Sequence, residues 1–196
     1  MSKSNKVSGF SLVEVLIAVV VLAIGMLGIA GLLVTSKRAN LEAVQRSSAT
    51  ALAQDLAERM RANPFELASY TNGGTGTTLT GTTIPARSCA TGCTPEQLAQ
   101  HDLFAFERNL VGMAERAGTN NVGGLIAPMA CLTGPNGGTG TYTFAVVWRG
   151  LTKLSDPGAS ACGRGSGLYD ASSAGTTEAD VHRRVLVLAT LIAEPL

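Results

Sequence analysis

From Phe10 to Val34 every residue is apolar or small except Glu14. At 1.5 Å per residue a helix over this run spans roughly 37 Å, enough to cross a hydrocarbon core of about 30 Å. It is too long for a signal peptide, whose apolar region covers about 7–15 residues. A lone carboxylate in such a helix is costly and calls for a dedicated partner. Beyond Thr35 the pattern becomes one-sided. Leu41, Val44, Ser48, Leu52, Leu56 and Met60 recur at helical spacing with Ala49 and Ala53 beside them, and Glu42–Arg46 and Asp55–Arg59 form i,i+4 pairs on the wet side. The two patterns join without a break, which predicts one helix from Phe10 to Ala62. Asn63-Pro64 ends it, because a residue before proline is pushed out of the helical region. The all-round apolar half, residues 10–34, belongs in lipid, and the one-sided half, residues 35–63, carries a head domain over residues 64–196.

Within the head, residues 69–88 read as a Gly/Thr loop with a short strand near Leu79 or Ile84. Thr94-Pro95-Glu96-Gln97 is a helix start, with Thr94 as N-cap, Pro95 at the first helical position and Gln97 closing a capping box. The helix is expected over 95–116, burying Leu103, Phe106, Leu110, Met113 and Ala117 and leaving Asp102, Glu107 and Arg108 solvated. Strands follow. Residues 125–132 form one, with Pro128 marking an edge. After the Pro135–Gly138 turn signal, 141–149 alternates Tyr142, Phe144, Val146 and Trp148 against smaller residues. Residues 183–193 are apolar on both faces, as a central strand would be. The fold class is therefore α+β, a long N-terminal helix packed against a C-terminal antiparallel sheet.

With a formal net charge of +1 and no basic patch, nothing in the sequence suggests a nucleic-acid partner, although it does not decide whether the loops of the head bind a surface or DNA. Lys3 and Lys6 are matched by Lys37 and Arg38 beyond the apolar run, so charge alone does not orient the span. The four cysteines are an even number in an exported chain, which predicts two disulfides. Cys89 and Cys93 can close locally across a Gly-containing turn. Cys131 and Cys162 would then staple a long loop to the sheet, a closure worth on the order of 3–4 kcal/mol. A zinc site from Cys89, Cys93 and His101 is the lesser alternative. No G-x-S-x-G elbow is present, and Gly163–Gly167 lacks the ending of a phosphate-binding loop. The residues assemble no active site, and the chain reads as a non-enzyme without cofactor or metal.

Gly9-Phe10-Ser11-Leu12-Val13-Glu14, led by Lys3 and Lys6, resembles the class III leader of type IV prepilins. The resemblance implies that a prepilin peptidase cuts between Gly9 and Phe10 on the cytoplasmic side, that Phe10 is then N-methylated, and that the head lies in the periplasm. Losing residues 1–9 removes Lys3 and Lys6, which takes the net charge from +1 to −1 before the new terminal amine is counted. That amine is largely protonated at neutral pH and could compensate Glu14 of a neighbouring subunit during assembly. Gly25, Gly28 and Gly31 either permit close helix packing or let this segment loosen as subunits pack.

Cys93–Gln100 followed by Asp102-Leu103, with Val146–Trp148 and Arg183–Val185, is similar to PilV-type minor pilins, although Phe104-Ala105-Phe106 stands where that group often has tryptophan. This resemblance implies a minor subunit that initiates pilus assembly near the tip and supports twitching motility. Its implied partners are other minor pilins, the major pilin, the prepilin peptidase, the inner-membrane assembly platform and the lipid bilayer. Alternatives are a minor pseudopilin of a type II secretion system and a signal-anchored periplasmic binding domain or enzyme.

Overall fold

The computed structural model describes residues 9–84, 88–90, 92–113, 115–173 and 176–194, so Lys3 and Lys6 lie outside the described residues. The chain divides into two compact units, Met1–Leu41 and Glu42–Leu196. The elements in chain order are helix α1 (Leu12–Ala62), a 3-10 turn (Pro64–Glu66), helix α2 (Leu67–Tyr70), strand β1 (Thr77–Leu79) and helix α3 (Pro95–Leu110). Strands β2 (Arg116–Ala117), β3 (Asn120–Asn121), β4 (Met129–Thr133), β5 (Gly140–Arg149), β6 (Ala171–Ser173), β7 (Thr176–Glu178) and β8 (Arg183–Ile192) complete them.

In the first unit every described residue is exposed. α1 contains a window of mean hydropathy 2.9, long and apolar enough to cross a membrane. In the second unit α1 buries Ala49, Ala53, Leu56, Ala57 and Met60. The three alanines share this core with Leu132, Tyr142, Phe144, Val146 and Trp148 of β4 and β5. Leu41 and Val44 are 55% and 56% exposed, against expectation, so the buried stripe starts at Ala49 rather than at Leu41. Ala62 is the last helical residue. Asn63 is buried, and its side-chain amide donates to the Pro95 carbonyl at 2.7 Å, joining the end of α1 to the start of α3.

The sheet is antiparallel in the order β1-β4-β5-β8. Two expectations are thereby reversed. β4 is an inner strand, because Pro128 falls just before it and Thr77–Leu79 pairs along its other side. β8 is an edge strand. Its second apolar face is covered only at its start, where Arg183 is buried and Val185 packs against the Cys162 and Tyr169 cluster, and lies open at Val187 and Leu191. β5 is covered on both faces: the opposite side from α1 carries Ala145 and Val147 against Cys162 and Tyr169.

α3 begins with the expected capping box: the Gln97 amide donates to Thr94 Oγ1 at 3.3 Å, and the Thr94 amide donates to Gln97 Oε1 at 3.1 Å. It ends at Leu110, short of 116. Gly112 adopts φ +68°, and its amide and that of Met113 donate back to the carbonyls of Asn109 and Arg108, which closes the helix in a Schellman turn. A Cβ at Gly112 would meet the Gly124 amide nitrogen at 2.1 Å, so only glycine fits there. Met113 is consequently only half-buried, and Ala117 is exposed in β2.

Asp102 and Glu107 are buried, not solvated. Asp102 accepts from Arg59 at 3.1 Å and from the Tyr70 hydroxyl at 2.6 Å; burial and this carboxylate push the Tyr70 hydroxyl's pKa well above its ordinary value. Glu107 accepts from the backbone amides of Thr80, Gly81, Thr83 and Ile84 at 2.7–3.1 Å, pinning the loop after β1 to α3. Replacing Glu107 by Gln substitutes a donor for one acceptor oxygen and leaves a buried amide unpaired, so a loss of about 1–3 kcal/mol is expected. Melting of the full chain in detergent checks this; a shift within about 0.5 kcal/mol, as for a solvated surface residue, would contradict the burial.

Candidate processing and assembly site

The Gly9–Phe10 peptide bond lies ahead of α1 in irregular backbone, and both residues are exposed, Phe10 at 85%. The helix starts immediately afterwards, the Ser11 carbonyl accepting from the amides of Glu14 at 3.1 Å and Val15 at 3.3 Å. This arrangement presents an accessible, non-helical bond two residues before a rigid rod, the form a peptidase needs to seat a substrate strand. Glu14 lies in the first turn of α1, where the unpaired amides of a helix N-terminus favour negative charge. Phe10, Glu14, Ala18 and Leu22 follow one another at i,i+4 spacing and line a shallow, mostly apolar groove along the helix. Glu14 has no ion-pair partner among the described residues.

Gly25, Gly28 and Gly31 lie on α1, and an added Cβ at any of them would meet nothing within 4 Å. Among the described residues, no packing therefore requires glycine at these positions. Just beyond, the Thr35 hydroxyl donates to the carbonyls of Gly31 at 2.9 Å and Leu32 at 3.1 Å, competing with the helix's own ladder at the end of the glycine segment.

Cys89 is bonded to Cys93, and Cys131 in β4 to Cys162 in the long loop before β6. The first bond removes both thiols from any metal site with His101. Among the described residues, no group of three or more His, Cys, Asp or Glu side chains could hold a metal ion.

Sequence reasoning missed the charges that fix the far end of the head. Arg183 is fully buried at the start of β8, donating to the carbonyl of Cys162 at 2.8 and 3.0 Å, to that of Pro157 at 3.1 Å and to that of Ser160, with its charge met by Asp156 at 2.6 Å. Burial pushes the Asp156 carboxyl's pKa up, but Arg183 and Arg164 together outweigh this and hold it below its ordinary value. Glu42 does not pair with Arg46. Its carboxylate accepts from the amides of Leu151 and Thr152 at 3.1 and 3.2 Å and from the Thr152 hydroxyl at 2.9 Å, with Arg184 at 3.6 Å. Burial raises its pKa, and these partners together pull it below its ordinary value. No local pattern pointed to this cluster, because a pair of arginines opening a strand reads as solvated.

Residues 4–30 match the family model of the prokaryotic N-terminal methylation motif, and residues 31–104 match that of type IV pilin Tt1218. No curated protein and no solved structure matches the chain.

Both depressed carboxyls bind protons more weakly in the folded than in the unfolded chain. Their contribution to stability is thus complete above about pH 5 and is lost as pH falls through and below about 4. The melting temperature of the full chain in detergent is expected to drop over that window, and Asp156→Asn should lower the plateau and flatten the slope. An unchanged slope in that variant would show that Asp156 does not carry the effect.

The chain thus joins an N-terminal methylation motif to a Tt1218-like type IV pilin segment, on the α+β, helix-against-sheet fold of a type IV pilin.

Proposed function

We propose that this chain is a minor pilin of the PilV type, made as a single-span inner-membrane prepilin with its head in the periplasm and then built into a type IV pilus. The observation that carries the reading is the exposed, pre-helical Gly9–Phe10 bond followed by an apolar helix whose sole charge before Lys37 is Glu14. In this reading the prepilin peptidase cuts that bond, Phe10 is methylated, and the assembly platform lifts the subunit from the bilayer to join other minor pilins and the major pilin. It acts early, near the tip, in starting the filament that twitching motility requires.

Assembly chemistry follows from the solvent. Glu14 in lipid keeps its charge only beside a cation, and the terminal amine of Phe10 on a neighbouring subunit supplies one without the flexibility of a long side chain. Pairing these two groups sets the axial register of each added subunit. The glycines at 25, 28 and 31 are the positions where the helix yields as neighbours close around it, since nothing among the described residues packs against them.

The test is the intact mass and N-terminal sequence of the protein from membranes, with and without the prepilin peptidase. A start at Phe10 with one added methyl, lost in the peptidase mutant, is expected. A start at Met1 in both strains would overturn the reading. Glu14→Ala should insert normally yet fall at least roughly tenfold in the sheared filament fraction; undiminished incorporation would remove Glu14 from assembly.

A further inference from the structure

A cleft of about 370 Å³ opens in the head between α1 and the end of the sheet where β5 leaves and β8 enters. Ala43 and Arg46 of α1 form one wall, Trp148 and Arg184 the other, and Leu154 and Pro157 the rim. Three independent features make this more than a surface depression.

The first is charge. Glu42, the i,i+4 neighbour that would neutralise Arg46, is turned to the 151–152 strap and to Arg184, and Arg183 is matched by Asp156. Arg46 is left exposed at the cleft with no hydrogen-bond or ion-pair partner for its guanidinium among the described residues. The second is hydrogen bonding. Of the buried side-chain donors among the described residues, two have no acceptor, Trp148 Nε1–H and Arg184 Nε–H, and both residues line this cleft. Such donors ordinarily find a partner, because leaving one unmade forfeits the water it gave up. The third is the rim, where Leu154 is 55% exposed beside Pro157.

A bare anion would pair Arg46 and leave the rim wet, and an apolar segment would leave Arg46 unmet. One free cation among the described residues of this cleft is too few to track a nucleic-acid backbone. A carboxylate flanked by apolar side chains answers both the charge and the rim, and the aromatic and arginine wall has the composition of an interface anchor. Resting on the pilin reading, we propose that this cleft docks an acidic, apolar-flanked segment of a neighbouring pilin-type subunit, with Arg46 pairing its carboxylate.

The test uses the full chain in its own membrane, with the photo-crosslinking residue p-benzoylphenylalanine placed at Leu154, and compares Arg46 with Arg46→Glu and Arg46→Lys. The expected product joins this chain to another subunit processed at a prepilin leader, through a peptide holding Asp or Glu beside apolar residues. It should fall roughly tenfold or more in Arg46→Glu and persist in Arg46→Lys. Because Arg46 is exposed, neither variant should alter the melt of the head, and that melt is recorded alongside. Equal crosslinking in Arg46→Glu, a crosslink to a protein of another class, or none at all would overturn the proposal. Intact mass of the same samples separates the two levels. A chain starting at methylated Phe10 whose crosslink ignores Arg46→Glu removes the cleft alone, and an unprocessed chain removes the pilin reading itself.

Discussion

The seam between α1 and the sheet is the constraint on which the head depends. Ala49, Ala53 and Ala57 recur every four residues, are almost wholly buried, and share one core with Tyr142, Phe144 and Val146 of β5. A larger residue at any of them would hold the helix away and open a gap, and close packing tolerates little of either. The same helix carries no buried residue before Ala49. One continuous element therefore does two kinds of work in sequence. Its first part offers apolar side chains to whatever surrounds it, and its later part is the spine of a folded domain.

Around that spine, buried ionic groups act as pins. Asp102, Glu107 and Arg183 each sit where an unpaired charge would be prohibitive; Glu107 and Arg183 are met mostly by backbone groups of loops, and Asp102 by the side chains of Arg59 and Tyr70. Glu107 fixes the loop after β1, Asp102 ties α3 to α1 and α2, and Arg183 gathers the long loop that carries Cys162. A head rich in Gly and Thr loops has too little apolar surface to order them by burial alone, and charge-assisted hydrogen bonds supply the remainder. Specificity of shape is the result, and it is spent on surfaces such as the Arg46 cleft.

The helices were legible because their signals are local. The apolar run, the Pro64 stop and the Thr94–Gln97 box each act within a few residues of themselves, and the Gly9-Phe10 motif needs no tertiary context. The strand order was not legible. Pro128 spoke for an edge at β4, but it lies outside the strand, and the short strand expected near Leu79, present as β1, carries no sign in its sequence that it pairs with β4. The doubly apolar β8 looked central, yet pairing is decided by segments far away in the chain, and it closes the sheet. Asp102 and Glu107 were read as wet because helical carboxylates usually are. Their partners stand more than twenty positions away, Glu107's in a loop with no pattern of its own. The Glu42–Arg46 pair failed for the same reason: a distant strap outbid the neighbour one turn along.

The bond between Cys131 and Cys162 has a temporal meaning. Its two sulfurs come from an inner strand and from a loop 31 residues later, and the same loop is held by Arg183. Closure therefore clasps covalently a segment that hydrogen bonds already hold to the sheet. It needs an oxidant, and thiols of this kind stay reduced in the cytosol. A chain held back before export would keep an unlocked head on a helix that already seeks lipid. Under the proposed export of the head, the covalent clasp forms only after translocation, and so separates the precursor in the membrane from the subunit ready for assembly.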